Sequence, residues 1–264
     1  MRPDLSIVIP AFNEETRLPS SLESVAAFLS QRREPLSVEV VVVDDGSADR
    51  TAARAEETGR RLGLALRTIR FPENRGKGAA VRAGVLAAEG KSVLVSDADF
   101  STPIPEWEKL AAAGAPVAIG SRAVDESLVK ERQSSFRVLA GKLFNRVVRF
   151  VAVPGIRDTQ CGFKLFSREA AGEIFSRTRV DRFAYDVEAL LLARKLGYAI
   201  AEVPVLWFNS PDSRVSLWGG AQAYLDLFRI RLGVARALKS GSLSAAEGRR
   251  EASTGTRGRV PPDH

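Results

Sequence analysis

Short, nearly unbroken apolar runs alternate with longer stretches whose apolar side chains recur every three or four positions. Leu5 to Pro10, Val38 to Val43, Val93 to Ser96 and Val117 to Gly120 have the first pattern and predict strands buried on both faces, and Leu66 to Phe71, interrupted by Arg67, Thr68 and Arg70, predicts a further strand. Leu18 to Leu29, Thr51 to Leu62 and Ala79 to Ala88 have the second and predict the helices between them. Strands of this kind alternating with helices predict an α/β fold whose parallel sheet is covered on both sides. After Arg122 the pattern loosens. Phe136 to Val151 reads as a helix in which Arg137, Lys142, Arg146 and Arg149 interleave with apolar residues. Arg182 to Leu196 reads as another helix, Ile200 to Val205 and Leu206 to Phe208 as strands around Pro204, and Leu217 to Leu238 as a last amphipathic helix. From Lys239 on, Gly, Ser, Ala, Arg and Pro dominate, predicting one domain over residues 1–238 and a disordered basic tail over 239–264.

In a parallel sheet, ligands bind beyond the carboxyl ends of the strands. Three polar clusters fall at those ends: Pro10-Ala11-Phe12-Asn13-Glu14, Asp44-Asp45-Gly46-Ser47 and Asp97-Ala98-Asp99. Two carboxylates directly after an apolar strand are costly unless a cation sits between them. Oxygen ligands favour Mg²⁺ or Mn²⁺, which keep several waters and bridge to substrate phosphates. Asp97 and Asp99 are therefore candidate metal ligands. Asn74-Arg75-Gly76-Lys77-Gly78 places Lys77 among glycines at the start of a predicted helix, a setting suited to a diphosphate, although the spacing is not that of a Walker loop. Each cluster also has a plainer reading. Asn13 or Glu14 would cap the first helix, Asp45 with Ser47 and Asp49 would cap the second, and Asp186 and Glu188 would be surface carboxylates pairing with Arg182 or Lys195.

Composition narrows the chemistry. The only histidine among the 264 residues is His264, which leaves no Ser-His-Asp triad, no histidine general base and no His-rich zinc site. The single cysteine, Cys161, allows no intramolecular disulfide and fits a reducing, cytoplasmic setting. A formal net charge of +7 suits an anionic partner. With aromatics at 7% and carboxylates clustered at the strand ends, that partner is not expected to be nucleic acid. Met1-Arg2-Pro3-Asp4 leads straight into a strand without a secretory apolar run, and no stretch nears the roughly 18 apolar residues of a spanning helix. A soluble or peripheral protein is expected.

Taken in order, Ile7 to Glu15, Val42 to Ser47, Asn74 to Gly78 and Asp97-Ala98-Asp99 resemble the family 2 inverting glycosyltransferases of the GT-A fold, a Rossmann-like, mostly parallel sheet flanked by helices. Gly120-Ser121-Arg122, Asp158 to Phe166 and Asp186-Val187-Glu188 resemble, within that family, the enzymes that load sugars onto dolichyl or polyprenyl phosphate. The Gln160-Cys161-Gly162-Phe163-Lys164 run leans toward the β-glucosyl branch rather than the mannosyl one. The resemblance implies a hexose donor, UDP-glucose first and GDP-mannose second, held by Pro10, Ala11, Phe12, Glu14, Asp45, Lys77, Asp97 and Ala98. It implies a metal on Asp97 and Asp99, with Asp99, Arg122 and Asp186 in the catalytic machinery. The acceptor phosphate falls to Arg122 and Arg137, with Arg132 in reserve, because arginine makes bidentate phosphate contacts. The β-linkage, made by attack opposite the nucleotide, is likewise implied by the family.

Where some relatives have C-terminal transmembrane helices, this sequence shows none. A lipid acceptor would be met from the cytoplasmic face of the membrane, through the basic helix and the tail arginines Arg249, Arg250, Arg257 and Arg259, or through a membrane-protein partner. Two other readings stay open. One is transfer to a hydroxyl of a saccharide or small molecule, with Asp186 as base. The other is a nucleotide-binding protein without catalysis.

Overall fold

The computed structural model describes residues 2–129, 153–208 and 230. The expected helices Phe136 to Val151 and Leu217 to Leu238, the tail over 239–264, and Arg132 and Arg137 lie outside the described residues.

The apolar runs form β1 (Leu5–Ala11), β2 (Val38–Asp44), β4 (Ser92–Val95) and β5 (Val117–Ser121), with β3 (Ala65–Arg70) and β7 (Ile200–Pro204) completing the parallel set. The periodic stretches form α1 (Leu18–Gln31), α2 (Thr51–Leu62) and α3 (Lys77–Ala87), and an unexpected short helix, α4 (Trp107–Ala112), lies between β4 and β5. Later come β6 (Lys164–Ser167), α5 (Arg168–Phe175) and α6 (Tyr185–Lys195). The sheet has seven strands in the order β3-β2-β1-β4-β6-β5-β7.

Side-chain alternation divides the core in two. Ile7, Ile9, Val40, Val42 and Leu94 face α1, where Leu18, Leu22 and Val25 meet them. Val8, Val41, Val43, Val93 and Val95 face the opposite way, onto Val81 and Val85 of α3 and the buried residues of α5 and α6. A period of two on strands read as continuously apolar is what burial on both faces requires. β3 alternates exposed and half-buried positions, as an edge strand should.

The sheet is mostly parallel, as the resemblance implies, and one strand runs the other way. β6 runs antiparallel between β4 and β5, with Val95 opposite Lys164 and Ile119 also opposite Lys164. A four-residue strand beginning with lysine shows too little periodicity to be read as a strand, and α5, capped by the Ser167 hydroxyl accepting from the Ala170 amide at 3.2 Å, was equally unexpected. The reversal matters for function. The amino end of β6 lies at the same edge of the sheet as the carboxyl ends of its neighbours, so Cys161-Gly162-Phe163-Lys164 is delivered among the polar clusters. Two smaller differences are local. α6 starts at Tyr185 rather than Arg182, and the expected strand over Leu206 to Phe208 is a single parallel bridge between Trp207 and Val129.

Candidate active site

The turn after β1 is fastened to the turn after β2. The Asn13 amide donates to Ser47 Oγ at 2.9 Å, Asn13 Oδ1 accepts from the Ala48 amide at 2.9 Å, and the Glu14 amide donates to Thr51 Oγ1 at 2.7 Å. Pro10 and Ala11 end β1 at this point, and Phe12 is left 40% exposed, an apolar surface beside the strand ends. Glu14 caps nothing. Its carboxylate takes both Arg17 Nε and Nη2, at 2.7 and 2.6 Å, and α1 has no side-chain cap. Asp45 is not a helix cap either. Its carboxylate accepts from the Arg75 and Gly76 amides at 2.7 and 2.9 Å and from Asn74 Nδ2 at 3.0 Å. Burial pushes this carboxyl up, against the pull of those two backbone amides. Asp45 thus shapes the 74–76 loop. Gly76 is needed there: its φ is +105°, and a Cβ would stand 2.4 Å from the Asp181 carbonyl oxygen.

That loop aims Lys77, the first residue of α3, at the end of β4. Lys77 Nζ lies 2.6 Å from Asp97 Oδ1. Burial would lower the lysine's pKa, but Asp97, Asp186 and Asp99 together raise it, so the ammonium stays charged. Asp97 is fixed from the other side by Gly162, where any Cβ would come within 2.2 Å of Asp97 Oδ2. Ala98 is held through its carbonyl, which accepts from the buried Ser21 hydroxyl of α1 at 2.6 Å. Asp99 Oδ1 accepts from the Ser101 amide at 3.1 Å, closing a tight turn with Phe100 at φ +42°. Among the described residues no three His, Cys, Asp or Glu side chains converge to hold a metal unaided. Asp97 and Asp99 fit a Mg²⁺- or Mn²⁺-type ion that takes two carboxylates and completes its shell with phosphate and water.

The opposite wall is built from β5, β6 and α6. Arg122, just past β5, forms a two-point pair with Asp158, Nε at 2.7 Å and Nη2 at 2.9 Å, and its amide donates to the same carboxylate at 3.0 Å. Its guanidinium lies over the Trp207 ring at 5.5 Å, and Asp158 is set by its own amide donating to Glu202 Oε1 at 2.7 Å. Arg122 therefore lies on this wall with its Nε–Nη2 edge occupied. A phosphate would have to use Nη1 or displace Asp158.

Asp186 is not a surface carboxylate. It is 5% exposed and lies 2.5 Å from Lys164 Nζ, which also donates to the Cys161 carbonyl at 2.5 Å. Burial raises the Asp186 carboxyl and Lys164 opposes the rise. Glu188, also buried, accepts from the Arg179 and Val180 amides, both at 2.8 Å, instead of pairing with Arg182 or Lys195. Lys164 and Asp158 are the members that sequence reasoning missed. The available signal was a lysine amid the apolar residues of the Asp158 to Phe166 motif.

The Arg122–Asp158 pair makes a pH prediction. Burial pushes the Asp158 carboxyl up, but the guanidinium and its hydrogen bonds outweigh this and hold it below the ordinary 3.8. The unfolded chain then binds this proton more readily than the folded one. The stabilisation is complete above that ordinary value and is lost as pH falls through the lowered folded value. Urea unfolding from about pH 3 to about pH 6 should show Asp158→Asn less stable than wild type at the upper end, with the difference shrinking toward the lower.

The glycosyl transferase family 2 model matches residues 6–175, which span β1 to α5 and include both Asp97-Ala98-Asp99 and Lys164. Dolichyl-phosphate β-glucosyltransferase of Homo sapiens is 41% identical over 242 residues, covering 86% of this chain and 75% of the relative. The Drosophila melanogaster protein of the same name is 42% identical over 241 residues, covering 86% and 74%. Among solved structures, glucosyl-3-phosphoglycerate synthase from Mycobacterium tuberculosis in complex with Mn²⁺, UDP and glucosyl-3-phosphoglycerate aligns with a TM-score of 0.63 at 21% identity, over 86% of this chain and 80% of that one. This last likeness is one of fold. With its sheet order, its carboxylate turn and the span of the match, the chain belongs to glycosyl transferase family 2.

Proposed function

We propose that this protein transfers glucose from UDP-glucose to dolichyl phosphate or a related polyprenyl phosphate, with inversion, at the cytoplasmic face of a membrane. The sugar and the lipid class rest on the relatives at 41% and 42% identity. The observation that carries the acceptor chemistry is the Lys164–Asp186 pair. A hydroxyl acceptor needs a base, and the carboxylate placed for that task is buried against an ammonium at 2.5 Å. A phosphate monoester needs none, because its second pKa near 6 leaves an oxygen already anionic at neutral pH.

In this reading Phe12 and the Pro10–Ala11 turn receive the nucleoside, and Lys77 holds the diphosphate. Asp97 and Asp99 would hold Mg²⁺ or Mn²⁺, which supplies Lewis-acid stabilisation of the departing diphosphate. Arg122 orients the acceptor phosphate through its free guanidinium edge. An acceptor oxygen forms the bond to the anomeric carbon as the bond from that carbon to UDP breaks, and UDP leaves with the electron pair. Among the described residues no helix is long and apolar enough to cross a membrane.

The test is transfer by purified protein to a short polyprenyl phosphate, with UDP-glucose or GDP-mannose as donor. Lipid-linked glucose from UDP-glucose alone is the expected product. Mannosyl lipid would correct the sugar, and transfer only to hydroxyl acceptors would overturn the acceptor class.

A further inference from the structure

We propose that Lys77 is a built-in counter-ion which the metal must displace from Asp97, so that metal and donor diphosphate bind as one coupled event. This rests on the metal-and-donor reading above and concerns how the site is filled.

The argument begins with which partner can move. Asp97 is hemmed in, with Gly162 packed against its carboxylate and the following residue tied to Ser21 through the Ala98 carbonyl. Lys77 is the mobile member, an ammonium on a four-carbon stem. The pair is also reachable, since the two side chains are 26% and 38% exposed. Lys77 Nζ now stands 2.6 Å from a carboxylate oxygen that a divalent ion would need.

A metal arriving alone would have to expel the ammonium into a region that already holds Lys164 and Arg122, both of which act on Asp97. A metal arriving with a diphosphate meets a different balance, because the expelled ammonium gains an anion at the amino end of α3. The two ligands therefore help each other. By linkage, the factor by which nucleotide tightens metal equals that by which metal tightens nucleotide.

The experiment reads free Mn²⁺ by electron paramagnetic resonance in solutions of the full chain, with and without UDP, after subtracting the Mn²⁺ that UDP holds in solution. In wild type, UDP should tighten Mn²⁺ by at least about tenfold, the least expected from an opposing charge at this range. Lys77→Met should bind Mn²⁺ without UDP about tenfold more tightly than wild type, and UDP should then add less. Lys77→Arg, which keeps the charge, should behave as wild type. Adding Asp97→Asn to Lys77→Met should remove the gain. Unchanged or weaker Mn²⁺ binding by Lys77→Met, with UDP still tightening it in wild type, overturns the exchange and leaves the proposed function standing. A gain that survives Asp97→Asn also overturns it. Mn²⁺ bound by neither protein even with UDP removes the metal–donor reading, and the exchange with it.

Discussion

Lys164→Met is expected to lower the free energy of unfolding by about 3–5 kcal/mol, the usual cost of removing one partner from a buried ion pair. Lys164 is 2% exposed and its ammonium is shared between Asp186 and the Cys161 carbonyl. Methionine fills nearly the same volume, so the loss is electrostatic rather than a cavity. It leaves the buried Asp186 carboxylate with its nearest cation gone. Adding Asp186→Leu should restore much of the stability, because replacing a buried pair by apolar groups is often neutral. Urea denaturation of the single and double variants gives the coupling. A single variant within about 0.5 kcal/mol of wild type would mean that water reaches the pair and screens it.

Asp99→Asn is expected to reduce glucose transfer by about a hundredfold to a thousandfold while leaving the fold intact. The amide oxygen of asparagine can still accept from the Ser101 amide, now held at 3.1 Å by Asp99 Oδ1, so the turn survives. In the proposed reading, what disappears is one of the two negative charges that would hold a divalent ion beside the departing diphosphate. The measurement is kcat with UDP-glucose at saturating Mn²⁺, beside a melting curve. Unchanged melting with lost turnover is the expected result. Unchanged turnover would remove Asp99 from the site.

The sequence made some parts of this molecule legible and hid others for physical reasons. β1, β2, β4 and β5 were readable because strands buried on both faces must be apolar at every position, and the polar clusters stood out by contrast at their ends. β6 was hidden because four residues give no period, and its first residue is a lysine, a type that is almost always at the surface. Arg122 was identified as a site residue, but its pairing with Asp158, 36 positions later, is made by the fold and leaves no local trace. Asp186 was placed in the site on resemblance, with a helix-surface role for Asp186 and Glu188 as the alternative. Asp186 is buried against Lys164 of β6, a strand the pattern did not reveal, and Glu188 against the 179–180 backbone.

The placement of β6 also bears on how the chain is made. During synthesis β1 to β4 can pair as soon as they emerge, and their helices are at hand to cover them. β5 cannot join them. Its place beside β4 belongs to a segment some forty residues further along, so the facing edges of β4 and β5 wait unpaired in what will become the middle of the sheet. Until residues 164–167 leave the ribosome, those edges are open to pairing with another nascent chain. The insertion that seals them also brings Lys164 into register opposite Val95 and Ile119 and sets Gly162 against Asp97. Joining the two parts of the sheet and delivering Lys164 and Gly162 to the site are thus one step, and β7 and the Asp186 carboxylate are added after it.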